Sequence, residues 1–530
     1  MTIAPCRDGV NGSLNVWRLA FLVVVLLVGG CASLPQGYER AESHALEDTS
    51  STALGLAGRD ALQAHAGQSG CRALPSGIDA LAVRMLLAEV AERSLDVQYY
   101  IWRDDLTGRL FANALLRAAD RGVRVRVLID DVGTRSNDET LLALEAHPNI
   151  EIRLFNPVAS RSFRVLGMLG DFSRINRRMH NKVFIADNQR AVLGGRNIGD
   201  EYFDASGDLA FGDLDVLTLG PVVADASKAF DWYWNVPASV PITALMNRQG
   251  AASKLDTLRT TLAAYVEAQQ ETAYVRRARS TGAQILAAGT GDVFWGTAHL
   301  VVDDPAKITR APDDDMGHLM PQLQQIGVQL RSELLIVSPY FVPGDAGVAS
   351  LTGLVGQGVR VTVLTNSLAA SDVGAVHAGY KRYREALIDG GVRLYELKPD
   401  AIAHVDGKAG ARTIGGSRAS LHAKTFVFDQ RAVFIGSLNL DPRSVQLNTE
   451  IGVICESEPM AREMAGQLAR GFDKVAWRVE RAGGADGRAH LVWTESTATG
   501  TTQYSDEPGV STWRLLGVWF LGLLPIESQL

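Results

Sequence analysis

Cysteine is scarce in this chain, with four in 530 residues, at positions 6, 31, 71 and 455. That excludes the disulfide framework of a small secreted domain, and no CxxC or HExxH spacing offers a metal site. Cys455 lies in the apolar run "IGVIC" and reads as a buried strand residue, with a bridge to Cys71 as the alternative. Positive charge is also in deficit. A net charge of −7 does not supply the basic surface that phosphate backbones require, so no nucleic-acid partner is expected. Long apolar runs are missing as well: "LAFLVVVLLVGG" has 12 residues, against about 20 for a membrane-spanning helix. What remains is a globular composition, 46% hydrophobic and 21% charged, in a chain too long for one ordinary core.

The charge deficit has a local exception. From Glu151 to Lys182 the bases Arg153, Arg161, Arg164, Arg174, Arg177, Arg178 and Lys182 face only Glu151 and Asp171. Such a run reads as a solvated face, but its place directly ahead of His180 raises the alternative of an anion-attracting approach.

At the N-terminus, Arg7 and Arg18 precede the 12-residue apolar segment that runs into Cys31. This length suits a signal-peptide core better than a spanning helix. "LLVGGC" resembles a lipoprotein signal, which implies lipidation at Cys31; an uncleaved anchor and an ordinary buried helix are the other readings. The first two place the chain at a membrane. Residues 1–31 form this segment and 32–58 a polar linker.

Beyond it, "IDALAVRMLLAEVAERS" has helical periodicity, "LDVQYYIW" strand character, "GRLFANALLRAADRG" an amphipathic helix ended by Gly122, and "VRVRVLIDD" the alternation of a strand. This β-α-β order predicts an α/β protein with a largely parallel sheet. It returns as "ELLIVSPYFV", "GVASLTGLVGQG", "VRVTVLTN", a helix near "AGYKRYREALIDGG" and the strand "VRLYELKP". The chain reads as an internal duplication. The units span 59–240 and 288–490, joined by a helical connector at 241–287, with a tail at 491–530. "DDPAKITRAPDDDM" reads as a loop whose acids are solvated or cap a helix, with cation binding as the lesser alternative. In the tail, Trp513 to Ile526 is apolar almost all round. It either packs as a last core helix or lies in a membrane interface through Trp513, Trp519 and Phe520.

The duplication is sharpest in "MHNKVFIADNQRAVLGGRN" (179–197) and "LHAKTFVFDQRAVFIGSLN" (421–439). In both, His precedes Asn by 17 positions, and the copies are 242 residues apart. Composition alone yields on the order of 0.01 HxKxxxxD matches in a chain of this length, so two with the same trailing Gly and Asn are not coincidence. Alternation along a strand puts His180 and Lys182 on one face, and likewise His422 and Lys424. The turns "DNQR" and "DQR" bring Asn197 and Asn439 back toward them, while Gly194, Gly195 and Gly436 are expected to admit a ligand closely. Odd spacing turns Asp187 and Asp429 away from that face and toward a local structural role. One His, Lys and Asn per half supply a nucleophile or acid/base and partners for phosphate oxygens.

This duplicated motif resembles that of the phospholipase D superfamily. The resemblance implies two duplicated α-β-α sandwich units related by a pseudo-twofold axis around one shared active site, with no metal or cofactor. Its motif counts His180, Lys182, Asp187, His422, Lys424 and Asp429 as catalytic, with Asn197 and Asn439 binding phosphate. Family precedent makes His180 the nucleophile and His422 the acid/base; from the symmetry of the sequence the two are interchangeable. Each imidazole needs an orienting acid, and the resemblance points to Glu450 and Asp213, with Asp215 a close competitor.

Several stretches, among them "SLDVQYYIWRDD", "DLDVLTLGPVV" and the ending "WRLLGVWFLGLLPIESQL", resemble bacterial cardiolipin synthases, nearest their C-type branch. That implies transfer of a phosphatidyl group to phosphatidylglycerol from phosphatidylethanolamine or a second phosphatidylglycerol. It also implies phospholipid substrates, a membrane setting and a place in the bacterial cell envelope. Cardiolipin synthases of the main type carry two N-terminal spanning helices, whereas this sequence offers one short lipoprotein-like segment. The alternative is a phospholipase D or nuclease that uses water as acceptor.

Overall fold

The computed structural model describes residues 34–134, 138–161, 164, 168, 171–206, 209–325, 330–401, 418–483, 489–497 and 500–530. The signal segment with Cys31 lies outside the described residues. The first unit contributes β1 (Ser69–Leu74), β2 (Ser94–Tyr99), β3 (Arg124–Asp130), β4 (Ile150–Phe155), β5 (Val183–Ala186), β6 (Arg190–Gly194), β7 (Leu209–Gly212), β8 (Asp215–Leu219) and β9 (Ser239–Pro241). All but β7 form a sheet in the spatial order β1-β8-β6-β5-β2-β3-β4-β9.

The second unit repeats the plan with β10 (Phe294–Val302), β11 (Glu333–Val337), β12 (Arg360–Asn366), β13 (Arg393–Leu397), β14 (Arg418–Leu421), β15 (Lys424–Phe428), β16 (Ala432–Gly436), β17 (Ile451–Glu456), β18 (Ala476–Gly483), β19 (Ala489–Thr497) and β20 (Gly500–Tyr504). Its order is β10-β17-β16-β15-β11-β12-β13-β18-β19-β20, so the sheet runs on past residue 490. β1 pairs antiparallel with β10 and joins the two into one sheet of 18 strands.

Within this sheet, among the described residues, only β2-β3-β4 and β11-β12-β13 run parallel, so it is mixed rather than largely parallel. Crossover helices such as Leu106–Asp120 and Gly344–Gly356 explain the parallel trios. Each motif, in contrast, ends in a tight turn that can only reverse the chain. At those turns Asp187 and Asn188, and Asp429 and Gln430, have φ between 49° and 53°, the left-handed pair that a twisted hairpin favours.

The helices start where sequence chemistry allows. Ser76 accepts from Asp79 N ahead of Gly77–Val90, and Asp105 accepts from Gly108 N ahead of Leu106–Asp120. The helical connector holds a short helix, Ile242–Leu245, and two long ones: Ala251–Gln269 packs on Leu106–Asp120, and Ala273–Ala288 on Gly77–Val90.

Three further expectations change. Cys71 and Cys455 are bonded, with an S–S distance of 2.08 Å. Cys455 is indeed a buried strand residue, but the seam between the units brings β1 within reach of it, with the Cα atoms 6.6 Å apart. Most of the basic run is taken up by internal ion pairs and backbone carbonyls rather than forming a solvated face. Arg161 and Arg164 engage Asp131 and Asp138, Arg178 engages Asp130, and Arg153 reaches Glu151 and the carbonyls of Ala41 and Trp234. In the acidic loop, Asp304 caps a short helix as expected, but Asp303 is fully buried against Lys307 Nζ at 3.0 Å.

Candidate active site

The two halves exchange partners at the histidines. His180 N donates to Thr449 O at 2.9 Å and His422 N donates to Gly212 O at 2.8 Å, so each histidine segment is held by backbone of the other unit. Met179 forms a parallel bridge with Thr449, and β14 pairs parallel with β7. The residues that follow these acceptors are Glu450 and Asp213. Glu450 Oε2 stands 2.8 Å from His180 Nδ1, and Asp213 Oδ2 stands 2.6 Å from His422 Nδ1.

Asp215, the competitor, is otherwise engaged: it pairs with the buried Arg84 at 2.8 Å and accepts from Arg196 N at 3.3 Å. The glycines ahead of Asn197 serve these acids rather than a ligand. A Cβ at Gly195 would lie 2.2 Å from Asp213 Oδ1, one at Gly194 2.2 Å from Asp215 Oδ1, and one at Gly436 2.5 Å from Ile451 O.

Lys182 Nζ donates to His180 O at 2.6 Å, and Lys424 Nζ donates to His422 O at 2.5 Å. Lys424 bears electrostatically on His180 and Lys182 on His422, so the two motifs occupy one site. Asn197 Oδ1 accepts from Ile101 N at 3.1 Å. Asn439 Nδ2 lies 3.3 Å from Ser444 Oγ while its Oδ1 is buried without a partner. Turning that amide over lets Ser444 donate to Oδ1 and leaves NH2 free for a phosphate oxygen.

Asp187 and Asp429 are not brought into the site. Asp187 accepts from the backbone N–H of Glu92, Arg93 and Ser94, and Asp429 from those of Arg331, Ser332 and Glu333. Each ties its hairpin turn to the start of the neighbouring strand, β2 or β11.

Burial sets the charge state. It presses the His180 imidazolium well below its usual range, with Lys182 and Lys424 adding to the effect. Burial and then Lys424 bring His422 down to about 4, against the pull of Asp213. Burial also lowers Lys424 to about 8 and Lys182 well below the ordinary lysine value. Glu450 is lifted to about 7 by burial, opposed by Lys182. Burial works to raise Asp213 too, but His422, Lys424 and Arg196 outweigh it and hold the carboxyl below the ordinary range. The result is two neutral imidazoles among buried lysines, each with Nδ1 engaged by a carboxylate.

Several neighbours escaped sequence reasoning. The Tyr100 ring meets His180 edge-on at 5.3 Å, and Tyr202 meets His422 at the same separation. Ser437 Oγ donates to Glu450 at 2.5 Å, and Asp303 accepts from Glu450 N at 2.7 Å. Asp130 pairs with Arg178 and accepts from Met179 N at 3.0 Å, fixing the His180 segment from its own side. The aromatic run "QYYIW" at the end of β2 is the one local signal that could have pointed to Tyr100.

Comparison with known proteins places these features in context. The family described as "Cardiolipin synthase, PLD-like domain" matches residues 86–234 and 323–475, once per unit. Cardiolipin synthase C of Escherichia coli (strain K12) is 43% identical over 470 residues, covering 87% of this chain and 96% of that protein. Cardiolipin synthase A of Pseudomonas entomophila (strain L48) is 28% identical over 392 residues, 73% of this chain and 65% of that one. Among solved structures, phosphatidylserine synthase of Haemophilus influenzae Rd KW20 shares the fold, with a TM-score of 0.50, 15% identity and coverage of 78% and 90%.

Proposed function

Because the chain belongs to the cardiolipin synthase family of phospholipase D-like proteins and is a phosphatidyltransferase of that superfamily, we propose that it moves a phosphatidyl group onto phosphatidylglycerol through a phosphohistidine. The donor is phosphatidylethanolamine or a second phosphatidylglycerol. A neutral His180, with Nδ1–H directed at Glu450, offers Nε2 to phosphorus. The bond from phosphorus to the headgroup alcohol breaks as His422 gives that oxygen a proton. Lys182, Lys424, Asn197 and Asn439 take the charge on the remaining oxygens.

In the second step His422 removes the proton of a phosphatidylglycerol hydroxyl. That oxygen attacks phosphorus, and His180 is released. The diester's negative charge between the lysines offsets the Lys424 charge that depresses His422, and so favours the protonated acid in the complex.

The exchange of carboxylates between units carries this reading. Attack and departure lie on opposite sides of phosphorus, and each side has a histidine with its own acid. Purified protein given labelled phosphatidylglycerol, with and without phosphatidylethanolamine, tests it. Cardiolipin should form, and His180→Ala and His422→Ala should abolish it. Phosphatidic acid alone, or cleaved DNA alone, would contradict it.

The protein works in the bacterial cell envelope, attached to the membrane through a lipid at Cys31. A Cys71–Cys455 disulfide supports a compartment on the oxidising side, because such bonds persist there and are reduced in the cytosol.

A further inference from the structure

The tail helix Thr512–Gly522 covers the protein with one face only. Leu515, Val518 and Leu521 pack toward Leu368 and Ala378, and Arg514 donates to Ser371 O at 2.6 Å. The other face is apolar and bare: Trp513 is 83% exposed, Trp519 65%, Leu523 62% and Phe520 59%, followed by Leu516 and Leu524. These six are the majority of the ten large apolar side chains exposed among the described residues, so the patch is concentrated rather than scattered. From Leu515 to Ile526 no residue is charged. At 11 residues the helix is about 16 Å long, too short to cross a bilayer of about 30 Å of hydrocarbon.

The helix is also strapped beside the site. Beyond it, Glu527 engages Arg382 at 2.8 Å and accepts from Tyr383 OH. Gln529 accepts from Asn176 Nδ2 at 2.6 Å and from Arg443 Nε at 3.0 Å, and Leu530 O accepts from Arg443 N at 2.6 Å. Asn176 is four residues before His180 and Arg443 four after Asn439, so each anchor lies within about 14 Å of a site residue. Phe172, 57% exposed, stands one turn before Asn176 and adds an apolar side chain from the first unit.

We propose that the bare face of the tail helix is a docking surface for a phospholipid bilayer, seated in the headgroup boundary so that substrate lipids reach the adjacent site without leaving the membrane. The proposal rests on the phosphatidyltransferase reading for its choice of occupant. Trp and Phe on the bare face and a length that lies along, rather than across, the membrane are the chemistry of an interfacial helix. An aqueous site, by contrast, would require each two-chain lipid to be pulled whole into water, at about 0.8 kcal/mol per exposed CH2.

The test uses the full chain and two substrate forms: vesicles of phosphatidylethanolamine and phosphatidylglycerol, and short-chain phosphatidylglycerol dissolved as monomers. Trp519→Ser/Phe520→Ser/Leu523→Ser should lower turnover on vesicles at least about tenfold and leave turnover of the monomeric lipid near wild type. A second arm does not depend on catalysis. Vesicles brominated on their acyl chains should quench wild-type tryptophan fluorescence, and Trp513→Phe/Trp519→Phe should remove a quenched component.

Equal quenching in the two proteins would overturn the proposal, even if the serine variant failed to fold. So would a wild-type dimer that the serine substitutions convert to monomer with vesicle turnover unchanged, since the face would then belong to a second copy. A wild type that turns over neither lipid form would refute the transferase reading, while the quenching arm would still decide the docking surface.

Discussion

Glu450→Gln keeps the shape of the site and removes one charge. Glu450 lies 2.8 Å from His180 Nδ1 and accepts from Ser437 Oγ at 2.5 Å. Oε2 meets both Nδ1 and the serine hydroxyl, and Ser437 Oγ has a second acceptor in Ile451 O at 3.2 Å, so a glutamine that sets its NH2 at the Oε2 position turns a donor toward Nδ1. The imidazole then carries its proton on Nε2, the atom assigned to attack phosphorus. In Ser-His-Asp hydrolases the same carboxylate-to-amide exchange costs about ten-thousandfold in kcat through the wrong tautomer, or about 5 kcal/mol of barrier. Lys182 and Lys424 are untouched, so KM should move by less than about threefold.

Stability should move the other way. Burial lifts Glu450 to about 7 from 4.5, so between those values the folded chain binds more protons than the unfolded one and loses stability as pH rises. The amide is free of that penalty, worth at most about 3 kcal/mol at pH 8. Wild-type kcat should also rise with pH through about 7 as Glu450 ionises, a limb the variant lacks. Lipid turnover from pH 5 to 9, with urea unfolding at pH 8, checks all of this. A kcat within tenfold of wild type, or a lower urea midpoint at pH 8, would refute the reasoning.

The remaining expectations separate chemistry from scaffolding. Asp429→Ala strips the acceptor from three backbone N–H groups and should cost about 2–4 kcal/mol in urea unfolding while kcat per folded molecule stays within about threefold; a collapsed kcat with an unchanged midpoint would return the residue to the chemistry. Gly195→Ala places a methyl 2.2 Å from Asp213 Oδ1, so kcat should fall at least about a hundredfold with the fold retained by circular dichroism, and full activity would show that Asp213 does not position His422. Cys455→Ser opens the link between the units and should cost about 2–4 kcal/mol, read as a lower denaturation midpoint that the wild type matches under reductant; equal midpoints would mean that the bond contributes nothing.

His180, Lys182 and Asn197, and their counterparts, were legible because a strand-turn-strand unit encodes its geometry in local spacing. The destination of each acid was not. Glu450 lies 28 residues from His422 and 270 from His180, yet it serves the distant one, because β17 follows a segment that pairs with the other unit. Asp213 and Asp215 look alike in sequence, and the buried Arg84 on a distant helix separates them. The double glycine was read as room for a ligand when it makes room for those two acids. Asp303 seemed a solvated loop residue because neither Lys307 above it nor Glu450 N below it is visible from its neighbours in the chain. The parallel sheet was overestimated for a related reason: crossover helices announce themselves by period, whereas the antiparallel strands added by each motif do so only once their turns are recognised.

In the proposed reaction His180 becomes the covalent nucleophile while His422 handles the proton. Acid-sparing quench of the reaction with acyl-labelled phosphatidylglycerol, followed by peptide mapping, measures this directly. Label is expected on the peptide containing His180. His422→Ala, given a phosphatidyl donor with a good leaving group, should still accumulate that adduct. Label on the His422 peptide, or transfer that proceeds at the wild-type rate in His180→Ala, would contradict it.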